Sequence, residues 1–121
     1  MLSWGTIAYG AALSAVLAVL LALVARERRL IALLAVVLGA AGGPVAWNAI
    51  LRTTNASQFF TDAPIPVFPI SWQDTGSGVF ALAALTLSLG FLALPTSSAR
   101  RVTTLALLGG ISALLVDVYL Y

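Results

Sequence analysis

Cysteine, histidine and lysine are absent from this chain of 121 residues, and charge of either sign is scarce: six arginines and four acidic residues amount to 8% of the sequence. Without His or Cys the usual ligands of haem, copper, zinc and iron–sulfur clusters are missing, so no metal or cofactor is expected and a redox carrier is a poor reading. Disulfides are excluded, and cysteine usage says nothing about compartment. With neither Lys nor His, the chain has no Schiff-base nucleophile and no base that ordinarily titrates near neutral pH, which leaves Asp, Glu and Tyr for proton work. The expectation is a protein that is not an enzyme. The charged share also falls far below the roughly 25% of ordinary soluble domains, too little to cover a water-facing surface.

What the chain has in quantity is apolar residues, 61% of the total, with a mean hydropathy of +1.07. They fall into four runs, at about 4–25, 30–51, 77–95 and 102–121. Each of the longer runs, at 1.5 Å per residue, reaches across a bilayer core of about 30 Å. The expected fold is therefore all-α and integral to a membrane: four transmembrane helices in one antiparallel bundle, forming a single domain over 1–121. The first run is read as a span rather than a cleaved signal peptide, because Met1, Leu2 and Ser3 supply no positively charged start. Arg26-Glu27-Arg28-Arg29 makes a tight turn into the second run. The third is expected to begin after Asp74-Thr75-Gly76-Ser77-Gly78 and to close at Pro95.

Arg26, Arg28 and Arg29 lie between the first two runs, and Arg100 and Arg101 between the last two. Arginine-rich turns stay on the cytoplasmic side, so both termini and the loop at 52–76 are expected on the other side, an N-out, C-out arrangement. This placement also explains the net charge of +2 without nucleic acid, which would need a broader basic face. Heavy use of Ala, Leu, Val, Gly and Arg suggests a GC-rich bacterial genome, hence a bacterial inner membrane. Trp4, Tyr9, Trp47, Trp72, Tyr119 and Tyr121 all map to the non-cytoplasmic half, a one-sided aromatic belt.

The loop at 52–76 is long for a connection between neighbouring helices. Pro64, Pro66 and Pro69 oppose a helix through its middle and favour extended backbone, while Phe59, Phe60, Phe68 and Trp72 make it too apolar to project into water. A structured cap over the outer helix ends is expected, and with Trp47 and Trp4 these aromatics are the candidate docking surface. Asn55-Ala56-Ser57 fits a glycosylation acceptor, a pattern common by chance and without meaning in a bacterium.

In the second run, Gly39, Gly42, Gly43 and Pro44 combine small-xxx-small spacing with a helix-bending proline. The expected use is a packing notch and kink; a break that binds substrate is the alternative. Ionisable residues inside a span mark transport pathways, and here Asp117 stands almost alone, near the outer end of the fourth run. Arg52 and Asn48 lie at the corresponding end of the second run. An Arg52–Asp117 pair is the expected arrangement, and a proton or cation site on Asp117 and Asn48 the alternative. Asp62 and Asp74 are a thin basis for a calcium site.

Asp74-Thr75-Gly76-Ser77 matches the short signature of aspartic proteases letter for letter, but with no second copy and a membrane run behind it, helix capping accounts for the same residues. The only glutamate, Glu27, lies in a turn, unlike the embedded glutamate of small multidrug resistance transporters. The asparagine and phenylalanine-threonine signatures of fluoride channels are missing too. The expected function is a small non-catalytic membrane protein, an accessory or stabilising subunit docking to a larger membrane complex through its outer aromatic face. The alternative is a homo-oligomeric transporter, channel or lipid-handling protein.

Overall fold

The computed structural model describes residues 2–93 and 98–120. All regular structure among them is helical: α1 is Trp4–Val24, α2 Leu30–Thr54, α3 Trp72–Ser88 and α4 Ala99–Leu120. A short 3-10 turn spans Ser57–Phe60, and a π-helical turn, Leu89–Ala93, continues α3. Each of the four long segments has the length and apolarity to cross a membrane. The proposed stop at Pro95 and the belt member Tyr121 lie outside the described residues.

Each helix packs on its neighbour in sequence, and α1 closes the ring against α4. Small side chains make this possible. The buried face of α1 is Ile7, Gly10, Ala11, Ser14, Ala15, Ala18 and Ala22, a stripe with helical period built almost wholly from residues with little side chain. The core is filled from the other helices by Val36, Leu85, Leu89, Val102 and Leu105. Leu85 of α3 is the central knob: a Cβ on Gly39 would stand 2.6 Å from its side chain, and one on Gly109 would collide with it as well. Glycines on α2 and α4 thus form the hole that this leucine fills.

Of the candidate packing residues, Gly39, Gly43 and Pro44 are buried. Gly43 lies against the backbone of α3, where a Cβ would come within 2.6 Å of the Ala81 Cα. Gly42 does not belong with them: it is exposed and has open space around it, because it points away from α3 one helical step from Gly43. α2 runs through Pro44 to Thr54.

The third helix starts at Trp72 rather than near Ser77. The reason is a capping box: the Ser71 hydroxyl accepts from the Asp74 amide at 3.2 Å, and the Asp74 carboxylate accepts from the Ser71 amide at 2.8 Å. Two orphan donors are satisfied at once, and Asp74 lies in the first turn of α3 rather than in the loop. Gly76 and Gly78 do not break the helix because each fits a close approach, Gly76 to the Trp47 ring and Gly78 to Gly110 and Leu114 of α4.

The first two helices end in the same Schellman geometry. After α2, Ala56 N–H donates to Leu51 O and the left-handed residue is Asn55, φ 54°. After α1, Glu27 N–H donates to Ala22 O and Arg26 N–H to Leu23 O, and the left-handed residue is Arg26, φ 67°. Asparagine tolerates this region; arginine rarely occupies it.

Candidate functional site

The most distinctive chemistry is a closed set of polar side chains at the end of the bundle that carries the loop. Asn48 of α2, Gln73 and Ser77 of α3 and Asp117 of α4 are each no more than 2% exposed. Gln73 is the hub. Its Nε2 donates to Asp117 Oδ2 at 2.9 Å and to Asn48 Oδ1 at 3.1 Å, with Ser77 Oγ at 3.4 Å. An amide nitrogen has two protons, so these three acceptors compete for them.

The local sequence explains why the hub is held there. Because α3 begins at the Ser71 cap, Gln73 and Ser77 lie one turn apart on its inner face. Trp47 then fixes the Gln73 main chain, its Nε1–H donating to Gln73 O at 3.0 Å, while its ring packs 5.0 Å from Phe80 and 5.9 Å from Phe59. On the next residue of α2, Asn48 Nδ2 donates to Pro44 O at 2.9 Å, which leaves Asn48 Oδ1 facing Gln73.

One atom is left over. Asp117 Oδ1 is buried and accepts no well-formed hydrogen bond among the described residues, with the Ser77 hydroxyl the other polar group that faces this carboxyl. A buried carboxyl oxygen without a well-formed hydrogen bond is costly, so this atom marks a place where a proton, a cation or a closer donor would be favourable.

Asn48 and Asp117 are therefore brought together, through a residue that does not figure among the sequence candidates. Arg52 is not with them. Its guanidinium donates to Leu2 O at 2.6 Å and lies 4.9 Å over the Trp4 ring, tying the start of α1 to the end of α2 at the rim. The expected Arg52–Asp117 pair is absent because Arg52 is exposed at the helix end, whereas Asp117 faces the interior. Gln73 and Ser77 had a legible signal: Ser-x-x-Asp at 71–74 sets the helix start, and from that start both face inward.

The other candidates divide by exposure. Trp47, Phe59, Phe60 and Phe68 are half-buried, with Phe68 beside Tyr119, whose hydroxyl donates to Val67 O at 2.9 Å. Within the loop, Ala63 N–H donates to Ile70 O at 2.7 Å, and Phe68 N–H to Ile65 O at 3.1 Å. Trp4 is exposed beside Arg52, and Trp72 is 70% exposed.

At the opposite end, the two arginine-bearing turns meet. Arg101 Nη2 and Nε donate to Glu27 Oε2 at 3.1 and 3.3 Å, and the amides of Arg28 and Arg29 donate to Glu27 Oε1. Burial alone would raise the Glu27 carboxyl, but these hydrogen bonds and the Arg101 charge outweigh it and hold the group below its ordinary 4.5. Arg26 and Arg100 are exposed beside this pair. No family model, curated protein or solved structure matches the chain.

Proposed function

We propose that this chain is a small non-catalytic membrane protein, an accessory or stabilising subunit that docks to a larger membrane complex through the loop end of an antiparallel, N-out/C-out bundle in a bacterial inner membrane. The observation that supports this is the division of labour in the loop. Trp47, Phe59 and Phe68 are turned inward to hold it, while Trp72 at 70% and Val67 at 80% exposure are turned outward. Exposed aromatics over a rigid base are what protein interfaces use as anchors, because little side-chain entropy is lost on contact. Trp72→Ala, and Phe68→Ala in the loop beside Tyr119, should release the chain from its complex during purification in mild detergent while the bundle stays folded by circular dichroism. Retention of both variants in the complex would remove the docking role.

A second reading, a homo-oligomeric transporter or channel, is favoured by the unpartnered Asp117 Oδ1 beside Gln73 and Asn48. Its mark would be proton or cation flux into liposomes that Asp117→Asn abolishes without loss of assembly. Equal flux from the variant would exclude that site from transport.

A further inference from the structure

The turn end contains an open bowl of about 600 Å³ lined by Ala25, Arg26, Glu27, Arg28, Arg29 and Arg101. Four arginines against one glutamate leave this lining with a net charge of +3. The glutamate is fully used internally, receiving Arg101 and the two amides of the turn. Arg28 Nη1 is also held, donating to Leu23 O at 2.7 Å and to Glu27 O at 3.0 Å. These bonds fix the walls of the bowl without neutralising it. Arg26 has no side-chain partner among the described residues, and it stands in the left-handed position that closes α1, where glycine is the favoured residue. Arginine closes α1 no better than glycine would, and its charge lines a basic bowl without an internal partner among the described residues.

We infer that this bowl binds the phosphodiester headgroup of an anionic phospholipid. Arginine suits a phosphate because its planar fork donates two parallel hydrogen bonds. A lipid rather than a free phosphate is the fitting occupant because exposed apolar side chains flank the bowl: Val24 ends α1, and Leu30 and Ile31 begin α2. A bound headgroup would thus have its acyl chains beside apolar helix surface.

The test is native mass spectrometry of the intact protein released from nanodiscs of equal phosphatidylglycerol and phosphatidylcholine. The wild type should carry phosphatidylglycerol in excess. Arg26→Gly should melt at the same or a higher temperature, since glycine relieves the left-handed strain, yet lose about fivefold of that excess, the share of one interfacial basic residue. Arg26→Gln should lose as much, whereas Arg100→Gln, outside the bowl, should lose little. No excess in the wild type, or equal losses from the Arg26 and Arg100 variants, would overturn a defined site. Inorganic phosphate at matched ionic strength should leave the excess intact; if it abolishes the excess, the bowl takes free phosphate and the lipid assignment fails.

Discussion

Asp117 illustrates how one residue constrains a small membrane fold. Its Oδ2 and the Asn48 Oδ1 both depend on the Gln73 amide. Replacing Gln73 with Leu would orphan both acceptors, at about 1–3 kcal/mol each, because a buried group keeps its full desolvation cost when its partner is removed. Removing the carboxyl as well, in Gln73→Leu with Asp117→Leu, should recover the Asp117 share of that loss, about half, while Asn48 Oδ1 stays without its donor. Denaturant or thermal titration in detergent distinguishes the two. A single Gln73→Leu variant as stable as wild type would show that the cluster does not join α2, α3 and α4.

Glu27 is the other residue with a defined electrostatic role, and the sign of its effect on stability follows from its lowered pKa. A carboxyl that binds protons less readily when folded stabilises the fold above its ordinary value, and that contribution disappears as pH falls through the lowered folded value. Stability should therefore drop on acidification below about pH 4.5, and the drop should be smaller in Glu27→Gln. Unfolding curves of the two proteins at pH 7 and in the acid range measure the difference; parallel pH dependence would mean that the Glu27–Arg101 bridge contributes nothing.

At the scale of elements, helix packing here depends on glycine and alanine rather than on bulk. Leu85→Ala removes the knob from the Gly39–Gly109 hole and should cost about 2–5 kcal/mol, the usual range for a buried leucine whose surroundings collapse only in part. Gly43→Ala should be at least as damaging, because the added methyl meets the backbone of Ala81, which has no rotamer to change. Ser71→Ala, removing a cap, should cost only about 1 kcal/mol. Alanine at Gly42, which has open space around it, should cost nothing or stabilise the helix slightly. A reversed order of Gly42 and Gly43 variants in thermal unfolding would contradict the packing described.

These elements also show what the sequence makes legible. Four apolar runs bounded by arginines and by a proline-rich loop identify the helices, since length and hydropathy are composition-level properties. The start of α3 was obscured by Gly76 and Gly78, which read as loop residues; only their contacts with Trp47 and with α4 show why a helix tolerates them. That shift of a few residues conceals Gln73, and with it the link between Asn48 and Asp117. The Arg52–Asp117 pair fails for a different reason: nearness to a helix end in sequence does not distinguish Arg52, exposed at the rim, from Asp117, which faces the interior.

For the whole molecule, the two ends differ in kind. The loop end combines a buried polar cluster with outward-facing Trp72 and Val67, and the turn end is a basic bowl around one ion pair. Neither end carries a described cluster of metal-ligating side chains. The apolar helix faces between them, with exposed Leu38, Phe91 and Leu92 among others, suit lipid contact. The proposed docking role of the loop end is tested most directly by isolation of the tagged chain at native expression level into native nanodiscs, with sizing and mass spectrometry of the particle. A stoichiometric larger partner that is retained by wild type and lost with Trp72→Ala is the predicted result. A homogeneous particle containing only this chain, unchanged by Trp72→Ala, would contradict it.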